Sequence, residues 1–396
     1  MEKSAKEGGK PVRDDYLVFG QPEITKEDIN SVVSVLKSKW IGTGPITKQF
    51  EDEVKKYLGC KHAIAVNSCT SALHLALLCN EIGEGDEVIT TSMTFAATVN
   101  VIEHVGATPI FVDIEKDSLN IDPAKIEEKI TNKTKAIMPV HFAGLSCNMD
   151  KINEIAKKHN LVVIEDAAHA IGAEYKNKKI GTGENIACFS FYVTKNITTA
   201  EGGMIVLNDD ELAKKIRIYS LHGLSKHAYQ RFEKNAKKGY QVLFPGFKNN
   251  MADMNAALGL TQFKKIDEIS DIRKKYAMMY LKAFSNNELI ELPPDSTDSK
   301  NVWHLFPILI NIDKLKISRD EFIDALNKEN IGAGIHYNAI HMEPYYVNKY
   351  GTINGLDRAE YVSKRTLSLP MQTSMNENDV HDVINAVNKI CQYFKK

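Results

Sequence analysis

The sequence predicts an α/β protein whose parallel or mostly parallel sheet is wrapped by helices. Between residues 62 and 166, short apolar runs alternate with segments of helical spacing, and each run is apolar on both faces. Polar residues follow the ends of these runs, namely Asn67 and Ser68, His141, and Asp166. Ligands bind beyond the carboxyl ends of the strands in such sheets, so we expect a functional site at this edge.

The elements can be assigned in chain order from apolar spacing. Two helices, over residues 24–38 and 46–58, are joined by a tight loop at residues 42–45. The alternation that follows predicts strand 62–66, helix 69–78, strand 87–91, helix 94–104, strand 108–112, helix 123–130, strand 136–140, helix 149–159 and strand 161–164. This alternation of strands and helices predicts the parallel or mostly parallel sheet.

The second half of the chain divides into a connecting part and a smaller domain. Residues 172–207 predict short strands and turns, and residues 222–248 form a polar segment long enough to be a functional loop. A helical pattern over residues 252–284 has room for one break and could bridge two domains. We therefore predict three parts: a flexible N-terminus (1–15), a large domain (16–285) and a smaller C-terminal α+β domain (286–396).

Composition excludes several classes of protein. The 396 residues are 43% hydrophobic and 26% charged, as in soluble globular proteins, and the net charge of −1 gives no basic field for nucleic acid. No apolar run reaches the roughly 18 residues that a membrane helix needs, and the N-terminus lacks the apolar segment of a secretory signal. We expect no nucleic-acid or membrane partner.

The six cysteines predict free, buried thiols in a reducing compartment. They lie at positions 60, 69, 79, 147, 188 and 391, and none forms a C-x-x-C pair. This spacing indicates neither a disulfide framework nor a zinc site, and we expect no metal. The cytoplasm is the expected location.

One lysine, Lys195, stands in an unusual setting within residues 188–203. Aromatic and β-branched residues precede it, hydroxyl residues surround it, and Glu201 and two glycines close the stretch before an apolar run. Burial favours the neutral amine, which is the form that attacks carbonyls. The hypothesis is a Schiff-base lysine that holds an aldehyde cofactor, and the alternative is an ordinary loop lysine.

Two strand–helix junctions could hold an anion and a flat ring. Thr70 and Ser71 open a helix, where hydroxyls and free backbone amides suit a phosphate; the alternative is that Ser68 or Thr70 only caps the helix. Phe95 opens the next helix and could cover a planar ring, although the buried core is the more common place for such a side chain.

Acidic residues end the last predicted strand of the alternation. Asp166 could hold a protonated pyridine nitrogen, which keeps the ring an electron sink, and His169 could reach a ring hydroxyl. The alternative is that Glu165 and Asp166 cap the next turn. With Lys195 these residue types match the needs of pyridoxal phosphate.

The sequence resembles the nucleotide-sugar aminotransferases of the DegT/StrS family, which are fold-type I pyridoxal-phosphate enzymes, over nearly the whole chain from about Phe19. The resemblance implies a mostly parallel seven-stranded sheet flanked by helices in the large domain. The motifs that carry it are Trp40–Pro45, Asn67–Leu77, Glu165–Ala170, Ser190–Lys195 with Glu201–Gly203, Gly246–Met251, Ala256–Gly259, His336–Tyr337 and Ser368–Pro370.

The resemblance also implies roles for the residues around the cofactor. Lys195 is implied to form the Schiff base, Asp166 to pair with the ring nitrogen, and His169, where the family often has Gln, to contact the ring hydroxyl. Ser190, Thr70 and Ser71 are implied to bind the phosphate, and Phe95 to stack on the ring.

Residues farther along the chain carry implied roles toward the second subunit and the substrate. Asn250 matches a position that reaches the phosphate of the neighbouring subunit in a homodimer, although this chain has Lys248-Asn-Asn250 where many members have Asn-x-Arg. Lys248, His336, Tyr337 and His341 are weaker candidates for substrate contact.

The implied reaction moves an amino group from glutamate to a keto-sugar nucleotide, in the biosynthesis of an amino sugar for surface glycans or a related product. The freed amine of Lys195 acts as general base and acid. We expect a 4-keto-6-deoxyhexose on UDP from the Lys-x-Asn variant, and amination at C3 or C4 stays open. A family branch that dehydrates sugars has His at the lysine position, against which Lys195 argues.

Two other readings remain open. The chain could be a sugar dehydratase or another fold-type I aminotransferase. It could also be a non-catalytic regulatory or binding protein, against which the presence of both Lys195 and Asp166 argues.

Overall fold

The computed structural model describes residues 2–225, 240–294, 296 and 298–396. Most of the predicted functional loop at 222–248 lies outside these residues. The described strands are β1 His62–Val66, β2 Glu87–Thr91, β3 Thr108–Val112, β4 Thr134–Met138, β5 Val162–Asp166, β6 Glu174–Tyr175, β7 Lys178–Lys179, β8 Ile186–Ser190, β9 Gly203–Leu207, β10 Ile290–Glu291, β11 Ser299–Lys300, β12 Phe306–Ile310 and β13 Thr366–Leu369.

Helices flank the strands along the described chain. They are α1 Lys26–Ser38, α2 Pro45–Leu58, α3 Cys69–Cys79, α4 Ala96–His104, α5 Met149–His159, α6 Asp210–Tyr219, α7 Asp253–Phe263, α8 Ile266–Phe284, α9 Arg319–Lys328, α10 Pro344–Tyr350, α11 Asp357–Ser363 and α12 Glu377–Phe394.

Seven strands form the main sheet in the order β1-β9-β8-β5-β4-β2-β3. All neighbours pair in parallel except β9, which is antiparallel to both β1 and β8. Its side chains alternate between two cores: Met204 and Val206 pack in one cluster, while Ile205 and Leu207 pack in another. The prediction of a mostly parallel sheet buried on both faces is confirmed, and the polar strand ends lie at one edge.

Several element boundaries differ from the sequence prediction for local reasons. Residues 123–130 form two 3-10 turns rather than an α-helix: their backbone N–H groups donate to carbonyls three residues back, and Asp122 caps the first turn. Strand β4 ends before Pro139, which has no N–H to donate to a neighbouring strand. Strand β5 extends to Asp166, so this carboxylate belongs to the last residue of the strand.

The predicted long helical pattern is broken once, between α7 and α8. Beyond it, β10, β12 and β13 form a three-stranded antiparallel sheet, against which α8, α9 and α12 pack in one apolar cluster. A third small sheet joins β11 to β6 and β7. The boundary between residues 285 and 286 stays a prediction, since β11 pairs with a strand from the preceding part of the chain.

The N-terminal residues, expected to be loose, make defined contacts with the C-terminal part. The backbone N–H groups of Ala5 and Val12 donate to the carboxylate of Glu329. The Arg13 guanidinium forms ion pairs with Asp379 and Asp382 at 2.7 and 2.8 Å. The six cysteines are free and buried, as predicted. Within the described residues, no helix has the length and apolar character to cross a membrane.

Candidate active site

A cavity of about 620 Å³ opens at the carboxyl edge of the main sheet. Its wall combines strand ends of this sheet with residues between β11 and the end of β13. The predicted site residues that line it are Thr70, Phe95, Asp166, His169, Ser190, Lys195, His336 and Tyr337. Residues distant in sequence therefore converge on one space, as the strand-end argument predicts.

Lys195 lies in the turn that follows β8. Its backbone N–H donates to the Tyr192 carbonyl at 3.0 Å, and its Nζ atom lies 3.4 Å from the His304 Nε2 atom. Burial lowers the pKa of the Lys195 ammonium to about 8, and the carboxylate of Asp166 opposes this fall. At pH 7 about a tenth of the amine is therefore neutral, far more than for an ordinary lysine, so this lysine can attack a carbonyl.

Asp166 presents its carboxylate to the cavity from the end of β5. The Thr98 hydroxyl donates to Oδ2 at 2.6 Å, and the Ala168 N–H donates to Oδ1 at 3.1 Å. Burial raises the pKa of this carboxyl, while these hydrogen bonds and nearby Lys195 favour the charged form. An acid held in this way can accept a hydrogen bond from a protonated ring nitrogen. The alternative, that Asp166 only caps the next turn, accounts for one of its contacts, the hydrogen bond from the Ala168 N–H.

His169 is a neutral hydrogen-bond donor at the cavity wall. Burial holds the pKa of this histidine well below its usual value, and the charge of Lys195 lowers it further. Its Nδ1 atom accepts from the Ala143 N–H at 3.3 Å, so the ring proton is on Nε2. Nε2 lies 3.1 Å from the phenolic oxygen of Tyr337.

The first turn of α3 carries both the helix cap and a hydroxyl that faces the cavity. Ser68 caps the helix, because its hydroxyl oxygen accepts from the Ser71 N–H at 3.1 Å. Thr70 and Ser190 line the cavity, whereas Ser71 is not among the lining residues and its hydroxyl accepts from that of Ser68. An anion at this turn would meet the Thr70 and Ser190 hydroxyls and the helix N-terminus.

The glycine at the start of β9 is required by this junction. A Cβ atom on Gly203 would lie 2.5 Å from the Ser68 carbonyl carbon, so strand and helix turn approach each other closely only with glycine there. Gly203 therefore allows two backbone segments of this chain to pack closely against each other.

Phe95 stands at the cavity wall and not in the core. Its side chain is 61% exposed, and its ring centroid lies 6.1 Å from that of Tyr337. The core alternative is therefore excluded for this residue. One face of the ring is available to a planar ligand in the cavity.

Besides Ser71, three of the predicted residues lie outside the cavity of this chain. Asn250 pairs with Val66 beside the end of β1, and its Nδ2 atom donates to the Thr43 hydroxyl at 2.5 Å. Lys248 donates to the side-chain oxygen of Asn250. His341 is buried in a different cluster, with Phe111 as a ring neighbour.

Two lining residues, His304 and Arg273, were missed at the sequence level. His304 stands in an apolar run that predicts only a strand, and no local signal marks it. Arg273 lies on the buried face of α8, where its Nη1 atom donates to the Trp303 and His304 carbonyls. The sequence signal that could have identified Arg273 is its position on the inward face of an amphipathic helix, where a charged side chain is unusual.

The donor set fits pyridoxal phosphate. An amine of lowered pKa can hold the aldehyde, a buried carboxylate can hold the ring nitrogen, hydroxyls and a helix N-terminus can hold the phosphate, and an exposed aromatic ring stands at the wall. An arrangement of this kind defines the class of aldehyde-cofactor enzymes that work through a lysine.

Comparison with known proteins identifies the family. Residues 22–388 match the DegT/DnrJ/EryC1/StrS aminotransferase family, and the chain belongs to this family. The spore coat polysaccharide biosynthesis protein SpsC of Bacillus subtilis is 46% identical over 380 residues, which cover 96% of this chain and 98% of SpsC.

Solved structures agree in fold and class. The putative sugar aminotransferase Spr1654 of Streptococcus pneumoniae, solved in PLP and PMP forms, superposes in the PMP form with a TM-score of 0.88 at 31% identity, over 95% of this chain and 99% of that chain. PseC of Helicobacter pylori, an aminotransferase involved in pseudoaminic acid biosynthesis, superposes with a TM-score of 0.88 at 34% identity. The match covers 96% of this chain and 100% of PseC. The predicted family, fold type, aminotransferase class and pyridoxal-phosphate cofactor are confirmed.

Proposed function

We propose that this chain transfers an amino group from glutamate to a keto-sugar nucleotide, with pyridoxal phosphate held on Lys195. The observation that carries the proposal is the cavity in which the Lys195 amine, with a pKa of about 8, and the buried carboxylate of Asp166 stand together. When bound, the cofactor supplies an electron sink for the electrons of a broken Cα–H bond. The protein supplies the groups that orient it and move the proton.

Each group has a task that follows from its surroundings. Asp166, fixed by Thr98 and Ala168, keeps a proton on the ring nitrogen. With the cofactor bound, His169 would donate its single Nε2 proton to a ring oxygen in place of the Tyr337 hydroxyl, and Thr70 and Ser190 would bind the phosphate. Once released, the Lys195 amine accepts the proton from the donor's Cα atom and returns it, as general base and then general acid.

The acceptor is proposed as a 4-keto-6-deoxyhexose on UDP. The Lys248-x-Asn250 variant favours this choice, and the similarity to the putative sugar aminotransferase Spr1654 supports a sugar acceptor. The name of SpsC supports a product that enters a polysaccharide. His336 and Tyr337 line the cavity and are proposed to contact this substrate, whereas Lys248 and His341 would need contacts beyond this cavity.

A homodimer completes the proposed site. Asn250 lies beside the Thr43 hydroxyl, outside its own cavity, which suits a side chain that serves the neighbouring subunit's phosphate. The cytoplasm is the proposed location.

The decisive experiment starts with the purified protein and the cofactor. Borohydride should fix the cofactor to the peptide that contains Lys195; Lys195→Ala should abolish this label, while exposed Lys264→Ala keeps it. A panel of 3-keto and 4-keto sugar nucleotides with glutamate, followed by 2-oxoglutarate release, then identifies the acceptor. Loss of water from the sugar without 2-oxoglutarate would establish the dehydratase, and a colourless protein that takes up no cofactor would establish the non-catalytic alternative.

A further inference from the structure

The His304 side chain is held by a set of hydrogen bonds that fixes the position of its protons. Asn196 donates from Nδ2 to the Val302 carbonyl at 3.1 Å, and a carbonyl can only accept, so the Oδ1 atom of Asn196 faces the other way. That oxygen lies 3.1 Å from the Nδ1 atom of His304. Because an amide oxygen can only accept, Nδ1 of His304 carries the ring proton.

The opposite nitrogen of the ring is therefore an acceptor aimed at the lysine. Burial, together with the charge of Lys195, keeps the pKa of His304 well below its usual value, so the ring is neutral and Nε2 carries no proton. Nε2 lies 3.4 Å from the Lys195 Nζ atom, and both residues line the cavity. The amine is the only donor in this pair.

The backbone that carries His304 is fixed from a second direction. Arg273 donates from Nη1 to the carbonyls of Trp303 and His304 at 3.2 and 3.1 Å. The His304 ring also packs against that of His169, with centroids 4.4 Å apart. Asn196 follows Lys195 directly in sequence, so the turn that presents the lysine also orients the histidine that meets it.

We propose that His304 is a positioning residue for Lys195: its Nε2 atom accepts a hydrogen bond from the released amine and holds the amine at the cavity wall between its proton transfers. The Asn196 side chain sets the tautomer that makes this acceptance happen. This inference rests on the proposed function, because it concerns the lysine that holds the cofactor.

The test measures the Lys195 amine in the cofactor-free protein. Competitive labelling with acetic anhydride across pH, with mass spectrometry of the Lys195 peptide, gives the midpoint of its titration. In His304→Phe the ammonium loses an acceptor, so the midpoint should fall by about one unit. His304→Gln keeps an acceptor near the Nε2 position and should return the midpoint to that of the wild type.

Other titratable groups stay the same in each variant. Asp166, Cys69, His169, His336 and Arg273 face Lys195 or His304 from the surrounding elements, and none is altered. His304→Asn can still meet Asn196 but is too short to reach the lysine, so it should behave as His304→Phe and replaces it if the phenylalanine variant does not fold. His74→Phe on α3, outside the cavity, is the matched control and should leave the midpoint unchanged.

The loaded enzyme provides a second readout. With the amine misplaced, kcat should fall about tenfold in His304→Phe while KM for glutamate changes less than about threefold. An unchanged midpoint in His304→Phe, or an equal fall in His304→Phe and His304→Gln, would overturn the inference. Failure of the proposed function has a different signature, because borohydride would then fix no cofactor on Lys195 in the wild type.

Discussion

The Nε2 atom of His169 lies 3.1 Å from the phenolic oxygen of Tyr337, and this contact joins the end of β5 to the segment before β13. His169 is the donor, because its Nδ1 atom already accepts from Ala143. The rings of Phe95 and Phe142 each lie 6.1 Å from that of Tyr337. At this point the two parts of the cavity wall meet through a polar contact inside an aromatic cluster.

Removal of the Tyr337 hydroxyl should weaken this junction. In Tyr337→Phe the buried N–H of His169 loses its acceptor, and we expect the free energy of unfolding to fall by about 1 kcal/mol. Denaturant titration of the cofactor-free protein measures it. Tyr345→Phe, which removes an exposed hydroxyl, should stay within about 0.5 kcal/mol of the wild type. Equal stability of the two variants would contradict the role assigned to this contact.

The Thr98 hydroxyl should set the acidic limb of activity. It donates a hydrogen bond to Asp166, and burial raises the pKa of that carboxyl. Thr98→Val removes this hydrogen bond and should raise the pKa by about one more unit. A carboxyl is charged only above its pKa, so the acidic limb of kcat/KM should move to higher pH. The pH profile of the transamination measures this shift, and Thr98→Ser, which keeps the hydroxyl, should not show it. A limb at the same pH in both variants would count against Asp166 as the ring-nitrogen partner.

The lowered pKa of Lys195 predicts how fast the cofactor-free protein captures an aldehyde. The amine is neutral above a pKa of about 8, so the rate should rise with pH up to that value and level off beyond it. Absorbance after mixing with pyridoxal from about pH 6 to about pH 10 follows the reaction. In Asp166→Asn the plateau should begin at lower pH, because the carboxylate charge that favours the ammonium is gone. A rate still rising steeply near pH 10 would show an ordinary lysine.

Local patterns sufficed for the strands and for the central site residues. The runs at 62–66, 87–91 and 108–112 match β1, β2 and β3 because polar residues bound each buried run. Asp166 ends one such run, and Lys195 lies in the turn after another. Their convergence could be predicted because parallel strands bring their carboxyl ends to one edge.

Contacts between distant parts of the chain left no such pattern. His304 lies 109 residues from Lys195 in sequence, and its role depends on the orientation of Asn196, which no spacing encodes. The position of Phe95 could not be predicted from the sequence either. Phenylalanine side chains are usually buried in the core, whereas Phe95 is 61% exposed at the assembled edge of the sheet. The segment 123–130 forms 3-10 turns, whose backbone hydrogen bonds reach back three residues, and its apolar spacing does not distinguish such turns from a short α-helix.

The carboxylate of Asp253 replaces a missing helix cap and should be important for stability. Helix α2 begins after Gly44, which has no side chain to cap it, and Asp253 accepts from the N–H groups of Gly44, Ile46 and Thr47 at 2.7, 3.2 and 2.9 Å. Asp253→Ala leaves these donors without a partner and removes a negative charge from the helix N-terminus, so the free energy of unfolding should fall by about 3 kcal/mol. Asp253→Asn, which keeps one oxygen, should lose about half as much, and Asp271→Ala on the exposed face of α8 should lose less than about 0.5 kcal/mol. Thermal and denaturant unfolding of the four proteins measure this order, and an Asp253→Ala protein as stable as Asp271→Ala would contradict it.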